Sequence, residues 1–290
     1  MRNGNLTKTL RRDAVDSIRP RPDRPSTGRR RPGLQRRRIV ARLMSALIAA
    51  ALVSATAAPA RAVFNGSRAD SDDYAWAVRV ELTYPEGTGW CTGSLIKRDT
   101  VVTAAHCIRN NGRSPSAVSV TFHYGQKDNQ YTVAVASAVP MPHYDPALIK
   151  DDIALIFLQS DVAEPTIELA STPVPAGEEV TLAGYGCTGD PLNPAVPCDP
   201  AVRLEETVLR TAPTAACPDI RGPWQFCTYS PYTSANRGDS GGPVTWSDHG
   251  ERKLVGVTNA IELPPAPAYL NLSASIPYGL EWIKSTAGLR

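Results

Sequence analysis

The chain has 290 residues, 42% hydrophobic and 20% charged, which excludes wholesale disorder and suits one large domain or two small ones. Its formal charge of +3 averages two opposite regions: residues 1–62 hold 15 Lys/Arg against 3 Asp/Glu, whereas residues 63–290 hold 16 against 25. A basic terminus of this kind makes nucleic-acid binding the first reading to test.

Residues 1–38 are rich in Arg and Pro and have no apolar period, which predicts a disordered arm. Leu43 to Ala60 carries no charge and is dominated by small and aliphatic residues, and Ala60-Arg61-Ala62 follows as a small-x-small site. A basic region, an apolar stretch and an A-x-A site in that order predict a secretory signal peptide removed after Ala62. A transmembrane anchor is the alternative, but the uncharged stretch barely reaches spanning length. Arg36-Arg37-Arg38-Ile39-Val40 loosely matches a twin-arginine export signal, and a start of translation nearer Met44 is the other explanation of the long arm. Either way the basic charge has a targeting role, and a nucleic-acid partner is not required.

Beyond Val63, short apolar or alternating runs recur: Trp76–Leu82, Val101–Ala104, Val118–Tyr124, Tyr131–Ala138, Ile153–Leu158, Val180–Ala183, Val202–Thr211, Val244–Trp246 and Leu254–Thr258. Gly, Pro, Asn and Asp clusters separate them, which predicts an all-β sandwich or barrel. Helix signals are scarce until Gly279–Ala287, a predicted terminal helix, and the Pro-rich stretch Glu164–Gly177 divides this region into two near-equal halves. The six cysteines, Cys91, Cys107, Cys187, Cys198, Cys217 and Cys227, all lie after the predicted cut. An even count in an exported chain predicts three disulfides, with 15 connectivities open. No C-x-x-C pair exists, so no zinc site is predicted.

Three local patterns carry chemistry: Thr103-Ala104-Ala105-His106-Cys107, Asp152-Ile153-Ala154-Leu155 and Gly238-Asp239-Ser240-Gly241-Gly242-Pro243. A serine hydroxyl is a poor nucleophile until a neighbouring base takes its proton, and that base works best when a buried carboxylate orients it. His106, Asp152 and Ser240 supply these parts, although Asp151 competes with its neighbour. The glycines around Ser240 let backbone N–H groups approach a developing oxyanion. Gly-Asp-Ser-Gly-Gly also fits the nucleophile elbow of esterases, but that fold requires the order Ser, Asp, His, and only His249 follows Ser240.

With these motifs the chain resembles the chymotrypsin/trypsin-like serine proteases, in particular secreted bacterial members, over essentially all of residues 63–290. Supporting matches are Val63-Phe64-Asn65-Gly66, Cys91-Thr92-Gly93-Ser94-Leu95-Ile96, Ala183-Gly184-Tyr185-Gly186 and Glu281-Trp282-Ile283. The resemblance implies an all-β fold of two six-stranded antiparallel β-barrels with a short C-terminal helix. Residues 1–62 are then the removed arm and signal, about 63–165 the first barrel, about 166–275 the second and about 279–287 the helix. It also implies Ser240 as nucleophile, His106 as general base and acid, Asp152 as orienting carboxylate, and the N–H groups of Gly238 and Ser240 as oxyanion hole. The pairs Cys91–Cys107 and Cys217–Cys227 follow, leaving Cys187 with Cys198. The family's bridge beside the specificity pocket is missing, because Asn236 replaces its cysteine.

In the family a new N-terminal amine pairs with the aspartate before the serine, here Val63 with Asp239. The predicted cut after Ala62 produces that terminus directly, so export itself is expected to activate the enzyme; a cut after Arg61 is the rival. The resemblance assigns Ser234 to the floor of the primary pocket and Ile261 and Pro267 to its walls. That predicts poor cleavage after Lys or Arg and a preference for small or medium apolar side chains. Asn259 replaces a family serine that bonds the catalytic aspartate, and Asn259 or Thr258 is left to donate that bond. Tyr84, Trp90, Trp224 and Tyr232 are expected in core or loop packing, and His123, His143 and His249 in structural or surface positions.

The implied function is a secreted, extracellular serine endopeptidase. Its expected partners are protein or peptide substrates and proteinaceous protease inhibitors, with no nucleic acid, no membrane after processing, no cofactor and no metal, in a monomer. The alternatives are a catalytically silent binding protein on the same fold and, less favoured, an esterase.

Overall fold

The computed structural model describes residues 63–70, 72–109, 112–191, 193, 195, 197–198, 200–217, 220, 222–262 and 268–290, all within one compact unit, Ala57–Arg290. The arm and signal segment assigned to residues 1–62 lies outside the described residues, as does Pro267. Among the described residues fourteen strands run in chain order: β1 (Ser67–Arg68), β2 (Ala77–Tyr84), β3 (Gly87–Lys97), β4 (Thr100–Thr103), β5 (Ala117–Phe122), β6 (Tyr131–Pro140), β7 (Ala154–Leu158), β8 (Glu168–Leu169), β9 (Glu179–Gly184), β10 (Glu205–Thr211), β11 (Gln225–Ser230), β12 (Pro243–Asp248), β13 (Glu251–Glu262) and β14 (Tyr269–Ser275). A single helical turn, α1 (Ala105–Ile108), follows β4, and α2 (Ile276–Ala287) ends the chain.

The first barrel closes in the order β2-β3-β4-β7-β6-β5. Alternation in β2 explains how it fills: Val78, Val80 and Leu82 are buried in the core, while Arg79 pairs with Glu81 at 2.6 Å. The Arg79 guanidinium also stacks on Tyr124 and Trp90, 4.1 and 4.8 Å from their ring centres. In the second barrel β10, β11, β14, β13, β12 and β9 pair in turn, and β9 returns to β10. Closure leaves neither barrel with a free edge among these six-strand rings. The hairpin between β12 and β13 turns at His249 and Gly250, both at positive φ, as a tight two-residue connection requires.

The barrels are joined by exchanged ends. Val63 is fully buried in the core of the second barrel, and β1 pairs with β10, so the first residues after the predicted cut pack on the second half rather than the first. In return, Ile276, Ile283 and Ala287 of α2 join the core cluster of the first barrel, and Lys97 Nζ donates to the Ala287 carbonyl at 3.1 Å. The helix begins three residues before the predicted Gly279. Ser275 caps it by accepting the Tyr278 N–H, and Pro277 sits in the first turn, where no amide donor is needed. It ends at Gly288, whose φ of 65° is the left-handed closing residue. Among the described residues no helix is long and apolar enough to cross a membrane.

Candidate active site

His106 stands on α1 at the end of β4, and Asp152 precedes β7, the strand paired with β4. The register Thr103↔Ala154 therefore brings the two together. Asp152 is 1% exposed, and both its oxygens serve the histidine. Oδ1 accepts the His106 backbone N–H at 2.8 Å, and Oδ2 lies 2.8 Å from Nδ1. Burial pulls the imidazole's pKa down, but the Asp152 carboxylate more than offsets it, and the net shift is upward. Asp151 does not compete: its backbone turns at φ 54°, and its carboxylate faces Lys150 at 4.0 Å.

The Ser240 backbone is anchored to the first barrel beside His106. Its carbonyl accepts the Thr92 N–H at 2.8 Å and lies 3.8 Å from a sulfur of the Cys91–Cys107 disulfide, whose second cysteine adjoins His106. Thr92 is a residue the motif reading quoted without assigning it a role. Its hydroxyl donates to the Gly238 carbonyl at 2.9 Å and accepts the Tyr185 N–H at 3.0 Å, so one first-barrel side chain pins the serine turn to the β9 end. Gly238 has a φ of 92°, and a Cβ there would run into Trp90 Nε1, which donates to the Tyr185 carbonyl. Among the described residues neither the Gly238 nor the Ser240 N–H has a hydrogen-bond partner. The cluster Cys91, His106 and Cys107 has metal-ligand proximity, but its two sulfurs are bonded to each other and offer no thiolate.

Asp239 is fully buried beneath the serine. Its carboxylate accepts N–H bonds from Gly186 at 2.8 Å and Asn236 at 2.7 Å. Burial pushes its pKa well above the ordinary carboxylate value, the two backbone bonds lower it, and the nearby Glu205 charge raises it further. No cationic side chain faces it among the described residues. Phe64, next to the buried Val63, exchanges two backbone bonds with Ser234, at 3.0 and 3.3 Å. The N-terminal segment is thus tied directly to Ser234.

Ser234 is buried, and Ile261 is half-buried against the second-barrel core. The sequence reading missed the main partner of Ser234. Ser234 Oγ donates to Asn271 Oδ1 at 3.0 Å, and the Ala235 N–H donates to the same oxygen at 2.8 Å. The signal available was an Asn inside Tyr269–Ser275, a strand otherwise made of apolar and small residues. Neither expected donor reaches Asp152: Asn259 Oδ1 accepts the Ala274 N–H at 2.7 Å, and Asn259 Nδ2 and Thr258 Oγ1 have no partner. Asn236 replaces the absent disulfide with an amide tie, donating to the carbonyls of Cys187 at 3.0 Å and Gly189 at 2.6 Å. The three bridges Cys91–Cys107, Cys187–Cys198 and Cys217–Cys227 are present.

The remaining aromatic and histidine residues have ordinary surroundings. Tyr84 Oη donates to the Cys107 carbonyl at 3.4 Å, Trp224 packs edge-on against Tyr278 of α2, and Tyr232 is exposed. His123 faces Glu164 at 3.0 Å, and His249 is exposed in its turn.

The trypsin family matches residues 63–283. Cathepsin G of Mus musculus is 28% identical over 78% of this chain and 86% of its own length. Serine protease SP24D of Anopheles gambiae is 32% identical over 68% and 71%, and mast cell protease 2 of Ovis aries 32% over 64% and 77%. These relatives are animal proteins, so the bacterial qualifier of the resemblance has no support from them. The match covers both barrels and every motif residue described above, and the chain belongs to the trypsin family of chymotrypsin-like serine endopeptidases.

Proposed function

We propose that the chain hydrolyses peptide bonds through an acyl-enzyme on Ser240. The observation that carries this reading is the double grip of buried Asp152 on His106, which leaves Nε2 as the working nitrogen. Nε2 takes the Ser240 Oγ proton as Oγ attacks the substrate carbonyl carbon. The carbonyl oxygen gains the negative charge and is met by the unpartnered N–H groups of Gly238 and Ser240. His106 then gives its proton to the leaving amine as the C–N bond breaks. Water attacks the ester with its proton passing to His106, and that proton returns to Oγ as the acid leaves. Labelling by a fluorophosphonate, lost in Ser240→Ala, is the expected result; an unlabelled, correctly processed chain would instead favour the silent binding protein.

The working form is a secreted monomer that starts at Val63, with protein or peptide substrates and proteinaceous inhibitors as partners. Removal of residues 1–62 after Ala62 creates an ammonium where Val63 is already buried and Asp239 lacks a cation. N-terminal sequencing of the secreted protein should read Val-Phe-Asn-Gly, and an Ala62 or longer start sinks this activation route. The uncharged Ser234 floor and the Ile261 wall favour small or medium P1 side chains over Lys and Arg. Mapping the cleavage sites in a denatured protein tests this, and dominant cutting after Lys or Arg overturns it.

A further inference from the structure

We propose that Asn271 makes this pocket selective for a P1 carboxamide, Gln or Asn, over an apolar side chain of the same size. The inference rests on the protease reading above. Asn271 is fully buried in β14, between β11 and β13. Its amide orientation is settled by chemistry: the Ala235 N–H donates only, so the atom it meets at 2.8 Å must be the oxygen. The same oxygen takes the Ser234 hydroxyl. Nδ2 therefore occupies the other edge of the amide, buried and without a partner.

A second unpartnered group faces the same way. Thr228 of β11 lies directly across from Asn271, so their side chains share one face of the sheet, and Thr228 Oγ1 is also buried without a partner. Ile261 is the cross-strand neighbour on the other side. The strand that carries Ile261 is also tied to the serine turn. The Gly241 N–H donates to the Thr258 carbonyl at 2.8 Å, and Thr258 N–H donates back to Gly242 at 2.9 Å. Ile261 follows three residues along, about 10 Å in an extended strand. Buried polar groups are rarely left unmatched: ordered water or a ligand completes them. A donor pair and a hydroxyl match a carboxamide, whose oxygen accepts from Nδ2 and whose NH2 donates to Oγ1. An ionised carboxylate meets no buried cation at this floor among the described residues, so Glu and Asp rank below Gln and Asn.

The test uses the chain beginning at Val63, with active enzyme counted by fluorophosphonate labelling. Its substrates are peptides that differ only at P1: Gln, Asn, Leu, Glu and Lys. Gln or Asn should exceed Leu in kcat/KM by about tenfold or more, because the floor's polar groups go unmatched by Leu. Asn271→Asp keeps the oxygen that binds Ser234 and Ala235 and replaces only the donor. It should abolish the Gln advantage and raise turnover of Lys. Thr228→Val, which preserves shape, should lower the Gln-to-Leu ratio of kcat/KM. A labelled wild-type enzyme that cuts Leu as well as Gln overturns the inference, as does an unchanged ratio in labelled Asn271→Asp or Thr228→Val. A wild-type chain that takes no label overturns the protease reading and this inference with it.

Discussion

Asp152 holds His106 at two points, through the backbone N–H and through Nδ1, each at 2.8 Å. One bond sets the position of the residue and the other sets its tautomer, so the ring cannot turn without losing a buried charge-assisted contact. Because the carboxylate also raises the imidazole's pKa, the neutral base form is reached only above the ordinary histidine value. The acid limb of the kcat/KM profile should therefore have its midpoint above pH 6.5. Asp152→Asn should move that midpoint down and reduce kcat by roughly 10⁴-fold. Stability runs the opposite way with pH: a raised histidine value stabilises at low pH, and the contribution fades as pH rises through the folded value.

On the proposed activation route, the cut before Val63 is a stability event as well, through Asp239. In the uncut chain its pKa is raised by burial, so its ionisation destabilises the fold as pH rises toward neutral. An ammonium at Val63 reverses this, and the amine's own pKa is raised above its ordinary range of about 7.7–8.0. The chain starting at Val63 should melt higher than the uncut chain at neutral pH, and the difference should shrink both in acid and in strong alkali. A buried pair of about 3 kcal/mol corresponds to roughly 6–12 °C for a domain of this size. Thermal melts of both forms across pH measure it, and an equal difference at every pH argues against the pair.

Gly238 carries two demands at once, a φ of 92° and the close approach of Trp90. Gly238→Ala should shift the loop and withdraw one oxyanion donor. The expected cost is about 10²–10³-fold in kcat with little change in KM, measured on the fluorophosphonate-counted enzyme. A variant with unchanged kcat would remove Gly238 from the oxyanion hole.

The Cys91–Cys107 bridge ties β3 to the turn that carries His106. Replacing both cysteines by alanine should lower stability by about 2–4 kcal/mol. It should lower activity further, because a sulfur of this bridge also touches the Ser240 carbonyl. Denaturant melts and kcat measured together separate the two effects.

The chain by itself pointed to the candidate residues: His106, Ser240 and an adjacent pair of acids sit in motifs local enough to read, and short alternating runs such as Val78, Val80 and Leu82 announce strands through their period of two. The change of composition and charge at Val63 was legible in the sequence, and the trypsin-family match begins there. Only the tertiary structure decided between Asp151 and Asp152, since two adjacent acids differ in backbone direction and not in composition. It also brought Val63 and α2 onto opposite barrels from their places in the chain. Asn271 emerged as the partner of Ser234, 37 residues away, only once β11 and β14 were paired in register. These are non-local contacts set by barrel closure, and a one-residue change in register would send each of those side chains to the other face.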